Sequence, residues 1–311
     1  MFISLGSRWH WALELLTHFR VQYGLILLGC AVWWGVRQRP WWAAFALSLA
    51  LANSLLVWPY YVTPTVASAD HTPSLTASST TYRLLSLNVL ATNHDSDAVK
   101  NLIARENPDI IVLMEMTPRW GYQLRELADS YPYATYEARY GRLETVIYSR
   151  YPLANTELWE LPLSRPEAFA NPHPDRPTVL TQVILEGGQP LALIATHPHS
   201  PITAWRSDVR NQQLLEAGQL AAQQTNPTIL VGDLNVTPWS PYFQDMVAVS
   251  GLREARVGQG LAPSWPTFAP KPLAIPIDHV LASPDIEIID LYTGADVGSD
   301  HLPIIVDFQL R

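Results

Sequence analysis

The segment Ile229-Leu230-Val231-Gly232-Asp233-Leu234-Asn235 decides how the fold of this chain is interpreted. Its first three residues are apolar and partly β-branched, which is typical of a strand buried between two layers of a domain. The glycine then lets backbone or ligand approach closely. A carboxylate and an amide follow, two residues apart. The segment therefore predicts a buried strand whose end delivers Asp233 and Asn235 to a functional cleft.

Apolar runs of strand length recur on both sides of this segment, and two stretches between them have helical spacing. Ser96–Glu106 carries apolar residues on one helical face and stops before Pro108, and Trp205–Gln224 is a longer helix. The predicted strands are Arg83–Leu90, Asp109–Glu115, Thr145–Ser149, Leu180–Leu185, Leu191–Thr196, Thr228–Gly232, His279–Ala282, Ile286–Leu291 and Leu302–Phe308.

Polar side chains stand at or just beyond the ends of several of these strands. Asn88 lies near the end of the first strand, Glu115 ends the second, and His197 follows the fifth. Because a rigid sheet presents the residues at its strand ends to a shared cleft, we expect them to meet Asp233 and Asn235.

These residue types indicate a site that binds a metal ion and acts on a phosphate ester. A hard cation such as Mg²⁺ takes one or two carboxylates, and Glu115 is the best candidate ligand. Asn88 would orient a metal ligand or a phosphate oxygen, and Asp233 would activate an attacking water. Asn235 would hold a non-bridging phosphate oxygen. His197 would protonate a departing oxygen, since imidazole titrates near neutrality.

Two Asp-His pairs lie about twenty residues apart in the last part of the chain, Asp278-His279 and Asp300-His301. A carboxylate bound to one ring nitrogen fixes the tautomer of a histidine and raises its basicity. We therefore predict that Asp278 holds His301 across the fold, with Asp300 close to the metal.

Taken in order, these motifs resemble the endonuclease/exonuclease/phosphatase superfamily, which contains DNase I-like nucleases, sphingomyelinases and inositol-phosphate phosphatases. The resemblance covers nearly everything from residue 82 onward. Within the superfamily the chain is similar to the bacterial membrane-anchored branch. It rests on Asn88, Glu115, Ser149-Arg150-Tyr151-Pro152-Leu153, Thr196-His197, Gly232-Asp233-Leu234-Asn235, Ile277-Asp278-His279 and Ser299-Asp300-His301.

The resemblance implies an α+β fold, a four-layer α/β/β/α sandwich. It also implies Mg²⁺, with Mn²⁺ as the alternative, held chiefly by Glu115 with Asn88 nearby. By the family pattern Asp233 and the Asp278–His301 pair serve the nucleophile and the phosphate, and which histidine is acid and which is base stays open. One departure is the segment 141–148, which reads Gly-Arg-Leu-Glu-Thr-Val-Ile-Tyr where a smaller, more apolar run is common.

The N-terminal part contains two apolar runs without Asp, Glu, His, Lys or Arg, Val21–Val36 and Trp41–Val57. As helices each would be about 25 Å long, slightly short of a bilayer core, and aromatic residues at their ends extend them. Residues 1–62 are therefore predicted to be a membrane-anchoring hairpin that contacts the lipid bilayer through residues 21–57. A cleaved signal peptide fits two runs poorly, and a soluble helical hairpin is the remaining alternative.

The anchor is followed by a predicted linker, residues 63–81, and by a catalytic domain, residues 82–311. The turn between the two runs carries Arg37 and Arg39, which the positive-inside rule places in the cytoplasm. Arg8 and Arg20 favour the opposite orientation. On balance we expect the catalytic domain to be extracytoplasmic.

The net charge of the predicted catalytic domain argues against one class of substrate. From residue 81 onward the chain has 26 Asp and Glu against 16 Lys and Arg, a net charge of −10, which opposes non-specific duplex binding. We expect a membrane-anchored phosphodiesterase acting on a lipid head group, a nucleotide or nucleic acid. A nuclease and an inactive phosphate-binding module are the alternatives. No protein partner is evident.

Overall fold

The computed structural model describes residues 6–62, 80–135, 144–160 and 176–311. Most of the predicted linker, residues 63–81, lies outside the described residues. The described strands are β1 (Tyr82–Asn88), β2 (Ile110–Met114), β3 (Tyr133–Ala134), β4 (Thr145–Ser149), β5 (Leu153–Trp159), β6 (Thr178–Ile184), β7 (Pro190–Ala195), β8 (Thr228–Asp233), β9 (Arg253–Glu254), β10 (Asp278–Ala282), β11 (Ile286–Thr293) and β12 (Ile304–Leu310).

The described helices divide between the N-terminal part and the sheet domain. They are α1 (Trp11–Leu15), α2 (Arg20–Val36), α3 (Pro40–Val57), α4 (Ser96–Glu106), α5 (Pro118–Gln123), α6 (Ala204–Ala222) and α7 (Pro241–Ser250). A short 3-10 stretch, Leu16–Phe19, separates α1 from α2.

Two six-stranded sheets pack face to face. The first has the strand order β11-β12-β1-β2-β4-β3 and the second β5-β6-β7-β8-β10-β9. Side chains of both sheets, such as Leu84 and Val112 of the first and Leu193 and Val231 of the second, form one buried core between them. Apolar residues of this kind leave water together, which is the main driving force for the packing.

Helices cover the outer face of each sheet. Val99 and Leu102 of α4 pack on Ile111 in the first sheet, and Leu214 of α6 packs on Leu230 in the second. The order helix, sheet, sheet, helix confirms the predicted α+β four-layer sandwich.

Local sequence explains where the covering helices begin and end. Asp95 caps α4 by accepting a hydrogen bond from Ala98 N at 2.9 Å, and Asn107 ends it in the left-handed conformation. Thr203 caps α6 in the same way. Both predicted helices are confirmed to within two residues at each end.

All nine predicted strands are present, and their ends differ from the predicted ends by at most two residues. Three further strands, β3, β5 and β9, were not predicted. Most of β5 is exposed, and it forms the edge of the second sheet. An edge strand has one side open to solvent and needs no apolar alternation, so its sequence carries little strand signal.

The N-terminal helices α2 and α3 pack against each other as a hairpin, joined by Arg37–Arg39. Two helical stretches, Trp11–Val36 and Pro40–Tyr60, are long and apolar enough to cross a membrane by length and composition. Many of their apolar side chains are exposed, including Leu25, Trp41 and Leu55. The apolar surface of the hairpin is therefore not covered by the sheet domain.

Candidate active site

Strand ends from both sheets meet at one edge of the sandwich. β1 and β2 are parallel, with Asn88 opposite Met114, so Glu115 follows beside Asn88. In the second sheet β7 and β8 are parallel and end near His197 and Asp233. Asp278 lies directly opposite Asp233, because β10 runs antiparallel to β8. Register alone therefore brings these polar residues to one edge.

Gly232 makes the approach of β8 to β7 close enough for this arrangement. Its φ is 150°, and a Cβ built on it would lie 1.9 Å from the carbonyl oxygen of Thr196. No side chain fits there, so only glycine lets Asp233 reach the neighbourhood of His197.

Asn88 joins the two sheets through its amide. Its Nδ2 donates to Glu115 Oε1 at 3.2 Å and to Asp233 Oδ2 at 3.1 Å, while its Oδ1 accepts from Leu90 N at 3.0 Å. One amide group thus holds a carboxylate from each sheet. Direct ligation of a cation by Asn88 would require the amide to turn its oxygen toward those carboxylates.

Glu115 adopts an uncommon backbone conformation, with φ at 56°. Left-handed φ is rare in residues other than glycine and asparagine, and it costs roughly 1–3 kcal/mol when the surroundings enforce it. The Glu115 carboxylate is fixed by Ala91 N, which donates to Oε2 at 3.0 Å. The strain aims this side chain at Asn88 and the cleft.

Asp278, His301 and Asp233 are buried, and the imidazole of His301 lies between the two carboxylates. His301 Nδ1 lies 2.8 Å from Asp278 Oδ2, and His301 Nε2 lies 3.5 Å from Asp233 Oδ2. Burial opposes the imidazolium, but the two carboxylates outweigh it and raise the pKa of His301 to about 10. Burial likewise opposes ionisation of Asp233, yet the neighbouring histidines hold its pKa below the usual range.

His197 sits between two carboxylates and an arginine. Its Nδ1 lies 2.8 Å from Glu144 Oε1, and its Nε2 lies 3.4 Å from Asp233 Oδ2. Arg176 Nη1 is 2.6 Å from Nε2 and donates to it when the imidazole is neutral. Burial and Arg176 lower the pKa of His197, but Asp233 and Glu144 offset them, so that this pKa lies above its ordinary value.

Glu144 and Arg176 were not predicted as site residues. Glu144 lies in the segment 141–148 that departs from the family pattern, and a carboxylate just before a buried strand was the available signal. Arg176 precedes β6 in a stretch without a recognisable motif. Its position beside His197 depends on tertiary folding.

The remaining predicted residues occupy different places. Asn235 has φ at 52°, and its Nδ2 donates to the carbonyl of Pro198 at 3.1 Å. Asp300 accepts from Trp265 Nε1 at 3.1 Å. His199 is buried against Trp205.

The described carboxylates suit a hard divalent cation. Glu115 and Asp233 share one amide donor, and Asp278 Oδ1 is buried without a hydrogen-bond partner. Concentrated carboxylate oxygens of this kind match the ligand preference of Mg²⁺. A compact group, Asp233, Asp278 and His301, has ligand atoms all within 4.8 Å of one another. It contains neither Glu115 nor Asp300, and both ring nitrogens of His301 already face carboxylates.

These residues line a cleft of about 640 Å³. We call its charged side the polar floor, defined as Glu115, His197, Asp233, Asp300 and His301; Asn88 and Asp278 support this floor from behind. The cleft also has an apolar wall, defined as Trp11, Leu15 and Phe19 of the N-terminal segment. Charged side chains and an apolar surface therefore share one cavity.

Comparison with known proteins identifies relatives of the sheet domain. The model of the Endonuclease/Exonuclease/phosphatase family matches residues 85–301. A sequence comparison with curated proteins found no match.

Solved structures of similar fold have low sequence identity to this chain. An endonuclease/exonuclease/phosphatase from Beutenbergia cavernae has 22% identity and a TM-score of 0.55, covering 74% of this chain and 72% of its own. TDP2 from D. rerio, complexed with single strand DNA product, has 20% identity and a TM-score of 0.59, with coverages of 74% and 99%. An endonuclease/exonuclease/phosphatase from Bacteroides vulgatus has 16% identity and a TM-score of 0.59, with coverages of 75% and 100%.

Proposed function

This chain belongs to the endonuclease/exonuclease/phosphatase family, and we propose from that premise that it is a membrane-anchored, divalent-metal-dependent phosphoesterase that hydrolyses a phosphodiester. The family includes nucleases, phosphodiesterases and phosphatases, and its members generally use divalent metal ions. Water attacks phosphorus in line with the departing oxygen.

One observation carries this proposal. Glu115, Asp233 and His301 come from distant parts of the chain, and all three line one cleft. Asn88 ties the two carboxylates together, and Asp233 faces the imidazole of His301. A purely structural role does not explain why three carboxylates and two histidines are concentrated on the polar floor.

Glu115 would hold the cation, with Asn88 and Asp300 nearby. A divalent cation in this place supplies positive charge that offsets the negative charge developing on the phosphoryl oxygens. The strained backbone of Glu115 and its bond from Ala91 fix the carboxylate before any ligand arrives.

The other side chains activate the water, stabilise charge on the phosphate and protonate the departing oxygen. Ionised Asp233 accepts a hydrogen bond from the attacking water and directs its lone pair at phosphorus. His301 stays protonated at neutral pH, since its pKa is raised to about 10, and places positive charge beside the phosphate. His197 donates a proton to the departing oxygen as its bond to phosphorus breaks. Asp278 orients His301, and Asn235 contacts the phosphate.

The anchor is supported by the exposed apolar faces of α2 and α3, since soluble proteins rarely expose apolar surface of that extent. Arg8 forms an ion pair with Asp245 at 2.7 Å. The ion pair neutralises the charge of Arg8 locally. Arg8 therefore influences the membrane orientation less than Arg37 and Arg39 do. This pairing favours an extracytoplasmic catalytic domain.

The test uses the full-length protein in detergent micelles with bis-p-nitrophenyl phosphate. We expect turnover with Mg²⁺ or Mn²⁺, loss of turnover with a chelator, and recovery when metal is returned. Asp233→Asn should lower kcat by about 100-fold or more, because the water loses its charged acceptor. Asp290→Asn, an exposed carboxylate on β11, is the matched control and should leave kcat unchanged.

Absence of turnover with every metal would instead favour a phosphate-binding module on the same fold. The same conclusion would follow if Asp233→Asn were as active as Asp290→Asn.

A further inference from the structure

The N-terminal segment before the candidate membrane spans is built into the active-site cleft. Trp11 and Leu15 of α1 and Phe19 of the 3-10 stretch line the same cavity as Glu115 and His301. Ile202, Ile275 and Ile277 add more apolar surface to the same cavity. The polar floor can therefore bind a charged group of a substrate, while the apolar wall and the isoleucines can contact an apolar group.

A buried ion pair fixes this segment on the sheet domain. Glu14 is 0% exposed; its Oε2 accepts from Arg210 Nη2 at 2.8 Å and its Oε1 from Ser240 Oγ at 2.6 Å. Arg210 is also fully buried. Burying two charges is costly unless each is paired with good geometry. The wall is thus held in one position by specific contacts.

The same contacts reach the catalytic loop after β8. Arg210 Nη1 donates to the backbone carbonyl of Asn235 at 2.7 Å, so one guanidinium bridges Glu14 and Asn235. His18 Nδ1 lies 2.9 Å from Thr237 Oγ1. The segment that forms the wall therefore also supports the loop that carries Asp233 and Asn235.

The wall runs directly into the hairpin. Phe19 lines the cleft, and α2 begins at the next residue, Arg20. At the other end of the hairpin, Tyr60 Oη donates to Glu254 Oε2 at 3.1 Å. Gly258 N donates to the carbonyl of Pro59 at 3.1 Å. Both ends of the hairpin are attached to the sheet domain, which places the cleft beside the apolar helices.

From this geometry we infer that the substrate is the phosphodiester of a membrane amphiphile. This inference rests on the proposed function. The phosphate lies on the polar floor, the apolar chain lies along the apolar wall, and Trp11, Leu15 and Phe19 determine specificity. Hydrolysis at the floor breaks the bond from phosphorus to the departing oxygen. The new bond is from water oxygen to phosphorus, and the departing oxygen takes a proton.

The cleft is less suited to a nucleic acid. Among the described residues that line it, Arg176 is the single arginine or lysine. A polyanion binds through several cationic contacts along its backbone. One guanidinium next to His197 matches a single phosphate group, and the apolar sides match hydrocarbon.

The test compares two chromogenic esters on the full-length protein, p-nitrophenyl methyl phosphate and p-nitrophenyl octyl phosphate, the latter below its micelle concentration. We expect kcat/KM to be at least about tenfold higher for the octyl ester, since each buried methylene contributes. Leu15→Ser should reduce this ratio severalfold. Leu16→Ser is the matched control: Leu16 is 40% exposed and does not line the cleft, so the ratio should stay unchanged.

A bilayer experiment distinguishes a membrane amphiphile from a soluble apolar ester. Protein reconstituted in phosphatidylcholine vesicles should hydrolyse p-nitrophenyl hexadecyl phosphate in its own vesicles much faster than in separate vesicles. Equal rates would overturn the membrane part of the inference.

The remaining outcomes separate this inference from the proposed function. If neither ester is hydrolysed, the proposed function itself fails. If both are hydrolysed with equal kcat/KM, or if Leu15→Ser keeps the native ratio, the wall has no role in specificity. Phe19→Ser provides a second variant should Leu15→Ser fold poorly, and hydrolysis of the methyl ester reports folding in both.

Discussion

The polar floor and the apolar wall line one cleft, yet they are built in different ways. Strand register in two sheets positions most of the floor, and each of its carboxylates has several fixed donors or charge partners. The wall comes from a nine-residue stretch outside the sheets, residues 11–19, held chiefly by the buried pair of Glu14 with Arg210. The floor is therefore a property of the fold, whereas the wall depends on a few contacts that can be removed singly.

The largest effect should follow from weakening the floor at Asp278. The Asp278 carboxylate orients His301 and stabilises its protonated form. Asp278→Asn removes this charge, and we expect kcat to fall by about 100- to 10,000-fold. Steady-state hydrolysis of p-nitrophenyl methyl phosphate measures it. Because Asp278 acts through His301, the alkaline limb of the pH–rate profile should also move to lower pH. An unchanged profile, or an equal loss in the exposed control Asp285→Asn, would remove Asp278 from this role.

Breaking the anchor of the wall should cost stability. Glu14→Gln leaves the Arg210 guanidinium buried without a carboxylate, and the free energy of unfolding should drop by about 3–5 kcal/mol. Urea unfolding in detergent, followed by tryptophan fluorescence, measures this loss. The exposed pair Arg8–Asp245 is the control: Arg8→Gln should cost only about 0–1 kcal/mol. Equal losses would show that the segment is not held by Glu14.

The floor should also show its charge in the pH dependence of stability. The pKa of His301 is raised to about 10 from an ordinary 6.5. A raised pKa means that the folded protein binds the proton more tightly, so this contribution is complete below pH 6.5 and is lost as pH rises toward 10. In the presence of a chelator, the native protein should lose more stability over that interval than His301→Gln. Parallel curves for the two proteins would contradict the assignment.

The smallest effect is expected at the edge of the floor. Glu144→Gln removes a negative charge 2.8 Å from His197 Nδ1 and should lower kcat about tenfold, because the imidazolium becomes less favourable. The acid-catalysed step should then be lost at lower pH than in the native protein. Glu157→Gln on the exposed edge strand β5 is a suitable control. A pH profile identical to the native one would exclude the interaction.

The same difference explains how much could be predicted from the sequence. Each floor residue is close to a recognisable strand end, and strand ends of one sandwich edge must meet. Glu144 and Arg176, which contact His197, could not be predicted in this way. The contact of Asp278 with His301 could be proposed because two Asp-His pairs needed partners. The roles assigned to these residues stay predictions.

The wall could not be predicted in this way. Trp11 and Leu15 stand beside Arg8 in a pattern that is the same whether the helix faces lipid or a cleft. Glu14 is a single carboxylate whose main charge partner, Arg210, lies 196 residues away in the sequence. The exposed strand β5 and the six-residue helix α5 were missed because neither carries a periodic apolar pattern. The predicted division at residues 62 and 82 stays a prediction.

Glu115 and the other floor residues are expected to gather around one cation. Anomalous diffraction from crystals of the full-length protein grown with Mn²⁺ tests it most directly. We expect one strong peak in the cleft at about 2.1 Å from a Glu115 carboxylate oxygen, and loss of that peak in Glu115→Gln. A strongest peak away from Glu115, or a cleft without any peak at saturating Mn²⁺, would contradict the claim.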